Sequence, residues 1–257
     1  MALEARNLGF RIGEQTLLHA LDLQVRAGEC VAVVGPNGAG KTTLFRLLSG
    51  ELAPATGDVL FNGRDLTRWP LEQLARMRAV LPQSSTLQFA FTVQEVVAMG
   101  RMPHATGRRI DAEIVQDVMR VCDVQKLATR LYTELSGGER QRVQLARVMA
   151  QVWQPVVEGE RLLLLDEPTS ALDLSHQIEL MQLVRQVCAS GIAVLVILHD
   201  LNLAARFADR ILMLHSGKTI AVGTPQQVLL PDLIECVFNV RSQVIAHPLY
   251  GCPLVVS

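Results

Sequence analysis

The chain has 257 residues, of which 49% are hydrophobic and 19% are charged, and this length and composition argue against disorder and fit one large domain or a domain with a subdomain. The 24 Lys and Arg residues nearly balance the 25 Asp and Glu residues, so the net charge of -1 gives no general attraction to nucleic acid or acidic lipid. The longest apolar run, residues 192–198, is far shorter than the ~18 residues of a membrane span. The N-terminus lacks the apolar stretch of a signal peptide, so we expect a cytoplasmic chain.

The cysteines are odd in number and form no CxxC pair. They are Cys30, Cys122, Cys188, Cys236 and Cys252. This pattern argues against a disulfide framework and against a zinc site. We therefore interpret all of them as small residues of the hydrophobic core.

Three apolar segments predict strands that are buried on both faces of a parallel sheet. They are residues 31–34, 161–165 and 193–198. Polar or Gly-rich residues follow each segment, and a helical pattern comes next, as in residues 42–49. This order predicts an α/β architecture with ligands at the carboxyl ends of the strands.

The middle third of the chain has a different pattern, with apolar residues three or four apart in residues 93–99, 110–122 and 139–151. It predicts an inserted helical subdomain. Near the C-terminus, the Pro and Gly residues of 247–253 predict a hairpin or an irregular cap. We therefore divide the chain into a core of residues 1–83 and 158–222, a helical subdomain of 84–157 and a C-terminal extension of 223–257.

A GxxxxGK(S/T) phosphate loop lies between a predicted strand and a predicted helix, the context that this motif requires. Its residues are Gly35, Pro36, Asn37, Gly38, Ala39, Gly40, Lys41 and Thr42. The backbone N–H groups of such a loop surround phosphate oxygens, and Lys41 supplies a cation for the β and γ phosphates. Thr42 is placed to bind Mg²⁺, and Thr43 can cap another phosphate oxygen. A chance Gly-rich turn is the alternative, and the match at every position of the motif argues against it.

Two carboxylates follow the apolar run of residues 162–165. Asp166 is placed to hold Mg²⁺ through its water shell, and Glu167 is placed to polarise the attacking water. Acidic residues also end strands simply because strands end in water. The phosphate loop upstream favours the catalytic interpretation.

A second Gly-rich segment, Ser136, Gly137, Gly138 and Glu139, has the S-x-x-E pattern of a helix capping box. The cap does not account for the two glycines, which expose N–H donors suited to a second phosphate site. With these motifs in this order and spacing, essentially the whole chain resembles the ATP-binding cassette (ABC) transporter ATPases. The resemblance implies a P-loop NTPase (RecA-like) fold with a mixed sheet core and an inserted α-helical subdomain, and ATP and Mg²⁺ as cofactors.

The resemblance also assigns roles to residues outside the phosphate loop. It implies that Ser136 to Glu139, the signature segment, act on ATP held by a second subunit, so that the working unit is a head-to-tail homodimer. Asp173, in the segment 170–173, resembles the residue that links the two sites across that interface. Gln83 resembles the glutamine that senses the γ-phosphate and Mg²⁺, and His199 resembles the switch histidine that touches the γ-phosphate. A lone histidine after a strand is otherwise a surface or capping residue.

In this family an aromatic ring upstream of the phosphate loop usually stacks on adenine. Two alignments of this segment with the family pattern are equally plausible: one places Phe10 at the stacking position, and the other places Ile12 there.

A single neutral cassette with no attached membrane span fits a separate importer subunit. The resemblance then implies two copies of an inner-membrane permease, a periplasmic haem-binding protein and a peripheral place on the cytoplasmic face of the bacterial inner membrane. Residues 81–104 resemble the iron-chelate, haem and cobalamin importers, and more narrowly the haemin importers. The stretch 151–160 resembles the same subgroup or is a tolerated surface loop.

Two other functions stay open. The cargo can be a ferric siderophore or cobalamin, or the chain can be a non-transport ABC ATPase acting on ribosome or DNA, although such relatives often fuse two cassettes. We predict no haem ligand among the remaining histidines, since they are scattered without metal-ligand spacing. They are His19, His104, His176, His215 and His247.

Overall fold

The computed structural model describes residues 1–83, 90–157, 159–170 and 172–257. The strands are β1 (Leu3–Ile12), β2 (Gln15–Val25), β3 (Cys30–Val34), β4 (Thr56–Phe61), β5 (Arg64–Asp65), β6 (Arg78–Leu81), β7 (Leu162–Asp166), β8 (Ala193–Ile197), β9 (Arg210–His215), β10 (Lys218–Gly223), β11 (Gln243–Ala246) and β12 (Pro253–Val256). The helices are α1 (Lys41–Leu48), α2 (Leu71–Met77), α3 (Val93–Ala98), α4 (Arg108–Val121), α5 (Gly137–Gln151), α6 (Leu174–Ala189), α7 (Leu201–Phe207), α8 (Pro225–Val228) and α9 (Pro231–Phe238).

The main sheet has six strands in the order β10-β9-β3-β8-β7-β6. All neighbours pair in parallel except β10, which runs antiparallel to β9. The predicted buried strands are β3, β7 and β8 at its centre, and every residue of the three is buried. The predicted α/β fold with a mixed sheet is therefore confirmed. Because parallel strands end at one edge, the segments that follow β3, β6, β7 and β8 meet there.

A smaller antiparallel sheet, in the order β2-β1-β4-β5, packs against one face of the main sheet. Alternate residues of β3 enter the two cores, with Val31 and Val33 on this side and Ala32 and Val34 on the other. Helix α1 packs in the core between the main sheet and the antiparallel sheet. The phosphate loop therefore connects two elements that are both fixed by packing.

The predicted helices of the middle third are present as α3, α4 and α5. Their apolar faces join the same core as Leu163 and Leu165 of β7. The helical region is therefore packed continuously with the main sheet. The predicted boundaries at 84 and 158 lie outside the described residues, so the exact division of the chain stays a prediction.

In the C-terminal extension, β11 and β12 pair antiparallel, which confirms the predicted hairpin. Three cysteines are buried as predicted, but the core interpretation is wrong for Cys236, which is exposed, and for Cys252, which is half-buried. Ile234 and Val237 form the buried side of α9, and Cys236 points away from it. Within the described ranges, no helix has the length and apolarity needed to cross a membrane.

Candidate active site

The phosphate loop runs from the end of β3 to the start of α1. Gly38 and Gly40 have φ values of 78° and 100°, in the left-handed region that glycine tolerates best. A Cβ on Gly35 would lie 2.3 Å from the Leu214 carbonyl oxygen, so this position also requires glycine. The loop lines a cavity of about 290 Å³ together with Leu17 and Glu167.

Lys41 is the first residue of α1, and only 5% of it is exposed. Its Nζ donates to the carbonyl oxygens of Gly35 at 2.8 Å and Pro36 at 3.0 Å. Burial lowers the pKa of Lys41, while the nearby carboxylates of Glu167 and Asp166 act in the opposite direction. The lysine is thus held inside the loop, beside the cavity that the loop lines.

Asp166 is the last residue of β7 and is 5% exposed. Burial raises its pKa to about 6, and the adjacent Glu167 carboxylate adds to the effect. Its Oδ1 is buried and has no hydrogen-bond partner among the described residues. A buried carboxylate oxygen without a donor is costly, and it is a ligand that a divalent cation prefers. Thr42 lines the cavity at the phosphate loop, and Asp166 precedes Glu167, which lines the same cavity. The Thr42 hydroxyl and the Asp166 carboxylate are oxygen ligands of the kind that fit the Mg²⁺ predicted from the sequence.

Glu167 lies between Gln83 and His199, at the point where β6, β7 and β8 end. Its Oε2 accepts a hydrogen bond from Gln83 Nε2 at 2.7 Å, and its Oε1 lies 2.5 Å from His199 Nε2. Glu167 has φ 50°, a left-handed conformation that is uncommon for a residue with a side chain. The structure therefore brings together three predicted catalytic residues that are far apart in sequence.

The signature segment begins α5. Ser136 is the N-cap, and its Oγ accepts from the Glu139 N–H at 3.3 Å while Glu139 Oε2 accepts from the Ser136 N–H at 2.8 Å. The hydrogen bond from the Ser136 backbone lowers the pKa of Glu139. The capping box predicted from the sequence is therefore present. Within the described residues, the cavity at the phosphate loop includes no residue of the segment 136–139.

Asp173 is the N-cap of α6. Its Oδ1 accepts from the backbone N–H of His176 at 3.0 Å and lies 2.7 Å from His176 Nδ1. The backbone hydrogen bond lowers the pKa of Asp173. Ala171, in the predicted segment 170–173, lies outside the described residues.

Phe10 is half-buried in β1 and lines a different cavity, of about 400 Å³, with Arg11, Thr16 and His19. Ile12, the other candidate for adenine stacking, is 63% exposed at the end of β1. The structure instead places Leu17 at the phosphate loop, a residue that the sequence analysis did not identify. Leu17 is an apolar residue in a strand, and nothing in the neighbouring sequence indicates that it lines the phosphate-loop cavity. Only the tertiary structure shows this position.

The family profile and similar curated proteins both point to ABC transporters. The ABC transporter family profile matches residues 18–170. The hemin import ATP-binding protein HmuV of Gloeobacter violaceus is 50% identical over 256 residues, covering 99% of this chain and 93% of that protein. The HmuV protein of Pseudomonas fluorescens strain Pf0-1 is 53% identical over 255 residues, covering 99% of each. The resemblance to haemin importers seen in the sequence is therefore confirmed.

Solved structures show the same fold. A transporter described as of the metal-chelate ABC type, in an inward-facing conformation, aligns with a TM-score of 0.82 and 27% identity over 100% of this chain and 98% of that chain. An ATP-binding subunit of an ABC transporter aligns with a TM-score of 0.76 and 26% identity, covering 94% and 95%.

Proposed function

Because the chain belongs to the ABC transporter family, we propose that it hydrolyses ATP to drive the import of haem through a membrane permease. The observation that carries the cargo is the 50–53% identity, over 99% of the chain, to two proteins named as hemin import ATP-binding proteins. The observation that carries the mechanism is the contact of Glu167 with both Gln83 and His199.

The phosphate loop binds the β and γ phosphates of ATP through its backbone N–H groups and through Lys41. Lys41 Nζ exchanges its bonds to the loop carbonyls for bonds to phosphate oxygens. Thr42, Asp166 and Gln83 would hold Mg²⁺, and the unpartnered Oδ1 of Asp166 supports this assignment. When bound, Mg²⁺ neutralises charge that develops on the phosphate oxygens.

Glu167 orients the water that attacks the γ-phosphate and accepts its proton. Without nucleotide, its two oxygens are occupied by Gln83 and His199. Both partners would have a competing target when ATP binds, since the Gln83 amide would be a ligand for Mg²⁺ and His199 would donate to the γ-phosphate. The carboxylate is then free for water only when nucleotide is in place.

The signature segment acts on the nucleotide of a second copy of the chain, in a head-to-tail homodimer. Ser136 and Gly137 are exposed, which supports this arrangement. A Cβ on Gly138 would lie 3.6 Å from the His176 ring and 3.7 Å from Leu172, both ordinary contacts. Packing within the chain therefore does not require glycine there, whereas close approach of a partner's phosphate does. Asp173, exposed at the start of α6, links the two sites across the same interface.

The subunit works as a peripheral protein on the cytoplasmic face of the inner membrane. Two copies dock on two copies of the permease, and a periplasmic haem-binding protein delivers the cargo. Residues 1–83 and 158–222 act as the nucleotide-binding core, and residues 84–157 act as the helical subdomain beside Gln83. Residues 223–257 form the C-terminal extension. Phe10 stays our candidate for adenine stacking, with Ile12 as the alternative.

Reconstitution with the permease and its binding protein tests the cargo. The purified subunit alone should hydrolyse ATP at a rate indifferent to haem, and the complete complex should respond to haem because the signal arrives through the permease. Ferric siderophore and cobalamin should have no effect. A complex stimulated by either of these, and not by haem, would overturn the cargo and leave the ATPase mechanism standing. If the ATPase rate of the complex responds to none of the three cargoes, and ribosomes or DNA stimulate the ATPase instead, the non-transport alternative is favoured.

A further inference from the structure

The C-terminal hairpin of β11 and β12 lies against α7, the short helix that follows His199. The N-cap of this helix is Asp200, whose Oδ1 accepts from the N–H groups of Asn202 at 2.7 Å and Leu203 at 3.1 Å. Helix α7 has seven residues, too few to be stable by itself in water. Its position, and the position of the turn that carries His199, must therefore come from contacts with other elements.

Asn202 supplies such a contact. Its Nδ2 donates to the Val255 carbonyl at 3.1 Å, and its Oδ1 accepts from the Val255 N–H at 2.7 Å. One side-chain amide thus satisfies both backbone groups of a β12 residue, and the two hydrogen bonds together hold α7 to the hairpin. One turn further along, the Arg206 guanidinium lies 3.7 Å from the centre of the Tyr250 ring in the same hairpin.

We propose that Asn202 is a positioning residue for ATP hydrolysis, holding α7 against the C-terminal hairpin so that His199 is directed at the site of Glu167. The inference rests on the proposed role of His199. The His199 side chain is 45% exposed, so packing around the ring gives it little constraint. Its orientation depends on the backbone turn between β8 and α7, which Asn202 fixes three residues later.

The test is steady-state ATPase kinetics of the full-length chain carrying Asn202→Ala. We expect kcat to fall about 3- to 10-fold, because a small displacement of a catalytic group is costly, while the KM for ATP is unchanged because the phosphate loop is untouched. ATP-dependent dimerisation should also be retained. A kcat equal to that of the wild type would overturn the proposal.

The chain offers a matched control in Asn62, which makes the same kind of paired contact away from His199. Asn62 Nδ2 donates to the Glu160 carbonyl at 3.0 Å and its Oδ1 accepts from the Glu160 N–H at 3.0 Å. Because Asn62 has φ 51°, Asn62→Gly removes the pair without backbone strain. This variant should keep the wild-type kcat. If it lowers kcat as much as Asn202→Ala does, the effect of Asn202 is general loss of stability and the proposal is wrong.

A double-mutant comparison with His199→Ala separates the inference from the proposal on which it rests. In the His199→Ala background, measured with radiolabelled ATP, Asn202→Ala should cause no further loss of the remaining rate. If Asn202→Ala lowers the rate in this background by the same factor as in the otherwise wild-type chain, Asn202 acts independently of His199. If His199→Ala alone keeps the wild-type rate, the proposed role of His199 fails, and the inference fails with it for that separate reason.

Discussion

His199 Nε2 and Glu167 Oε1 lie 2.5 Å apart, across the ends of two adjacent parallel strands, β8 and β7. Since the Glu167 side chain is 11% exposed and also accepts from Gln83, its carboxylate is held from both sides. These two contacts occupy both carboxylate oxygens in the nucleotide-free chain, so Glu167 can orient a water molecule only after its partners move. The contact therefore makes Glu167 the first residue to test.

Glu167→Gln should keep ATP binding and reduce kcat by about 100-fold or more, because the amide preserves the shape of the side chain and cannot accept the proton of water. Hydrolysis normally separates the ATP-bound dimer, so the dimer should accumulate in this variant. Gel filtration with and without ATP measures it. A variant that stays monomeric with ATP would contradict the proposed dimer.

Lys41→Ala should lower both ATP affinity and hydrolysis while the fold survives. The change removes the one side-chain cation that the phosphate loop provides, whereas the backbone of the loop is held by the packing of β3 and α1. Circular dichroism checks the fold and nucleotide titration checks the affinity. Unchanged ATP affinity would contradict the assignment of the phosphate loop.

Mixing two damaged subunits tests whether the signature segment acts on a partner's nucleotide. Ser136→Arg damages the signature and Lys41→Ala damages the phosphate loop. In the mixed dimer, one composite site carries both lesions and the other is intact. ATPase activity, or ATP-induced dimerisation if both sites must work, should therefore return in part on mixing. If neither returns, the claim that Ser136 acts in trans loses its support.

The sequence predicts the parts of this fold whose signals are local. Strands β3, β7 and β8 are continuous apolar runs, and the phosphate loop is a fixed motif between two of the predicted elements. The antiparallel sheet has no such local signal, since bulges between Ala5 and Leu8 and between Leu8 and Phe10 interrupt the period-two pattern of β1.

The contacts that complete the site are not local. Asn202 and Val255 are 53 residues apart, and nothing near either residue indicates that they pair. The left-handed conformation of Glu167 is equally invisible, because glutamate has no preference for it. Sequence motifs thus identify which residues meet, while the tertiary structure shows what holds them in place.

Asp166→Asn should raise the thermal stability of the nucleotide-free chain near pH 7.5 while abolishing Mg²⁺-dependent hydrolysis. Burial raises the pKa of Asp166 to about 6 in the folded chain, above the 3.8 of an ordinary aspartate, so the folded state binds the proton more tightly than the unfolded state. The ionised carboxylate therefore destabilises the folded chain. This destabilisation is absent below about pH 4, grows as the pH rises from about 4 to about 6, and is complete above about pH 6. Removing that charge should stabilise the chain by about 1–3 kcal/mol at pH 7.5, or about 3–6 °C in Tm, and by little at pH 4.

Thermal melts of the wild-type and Asp166→Asn proteins without nucleotide, at pH 7.5 and pH 4, measure the difference in Tm. A Tm gain that is equal at both pH values would show that the burial of the charge is not its cause. A loss of Tm at pH 7.5 would contradict the conclusion that burial of the ionised Asp166 carboxylate costs stability.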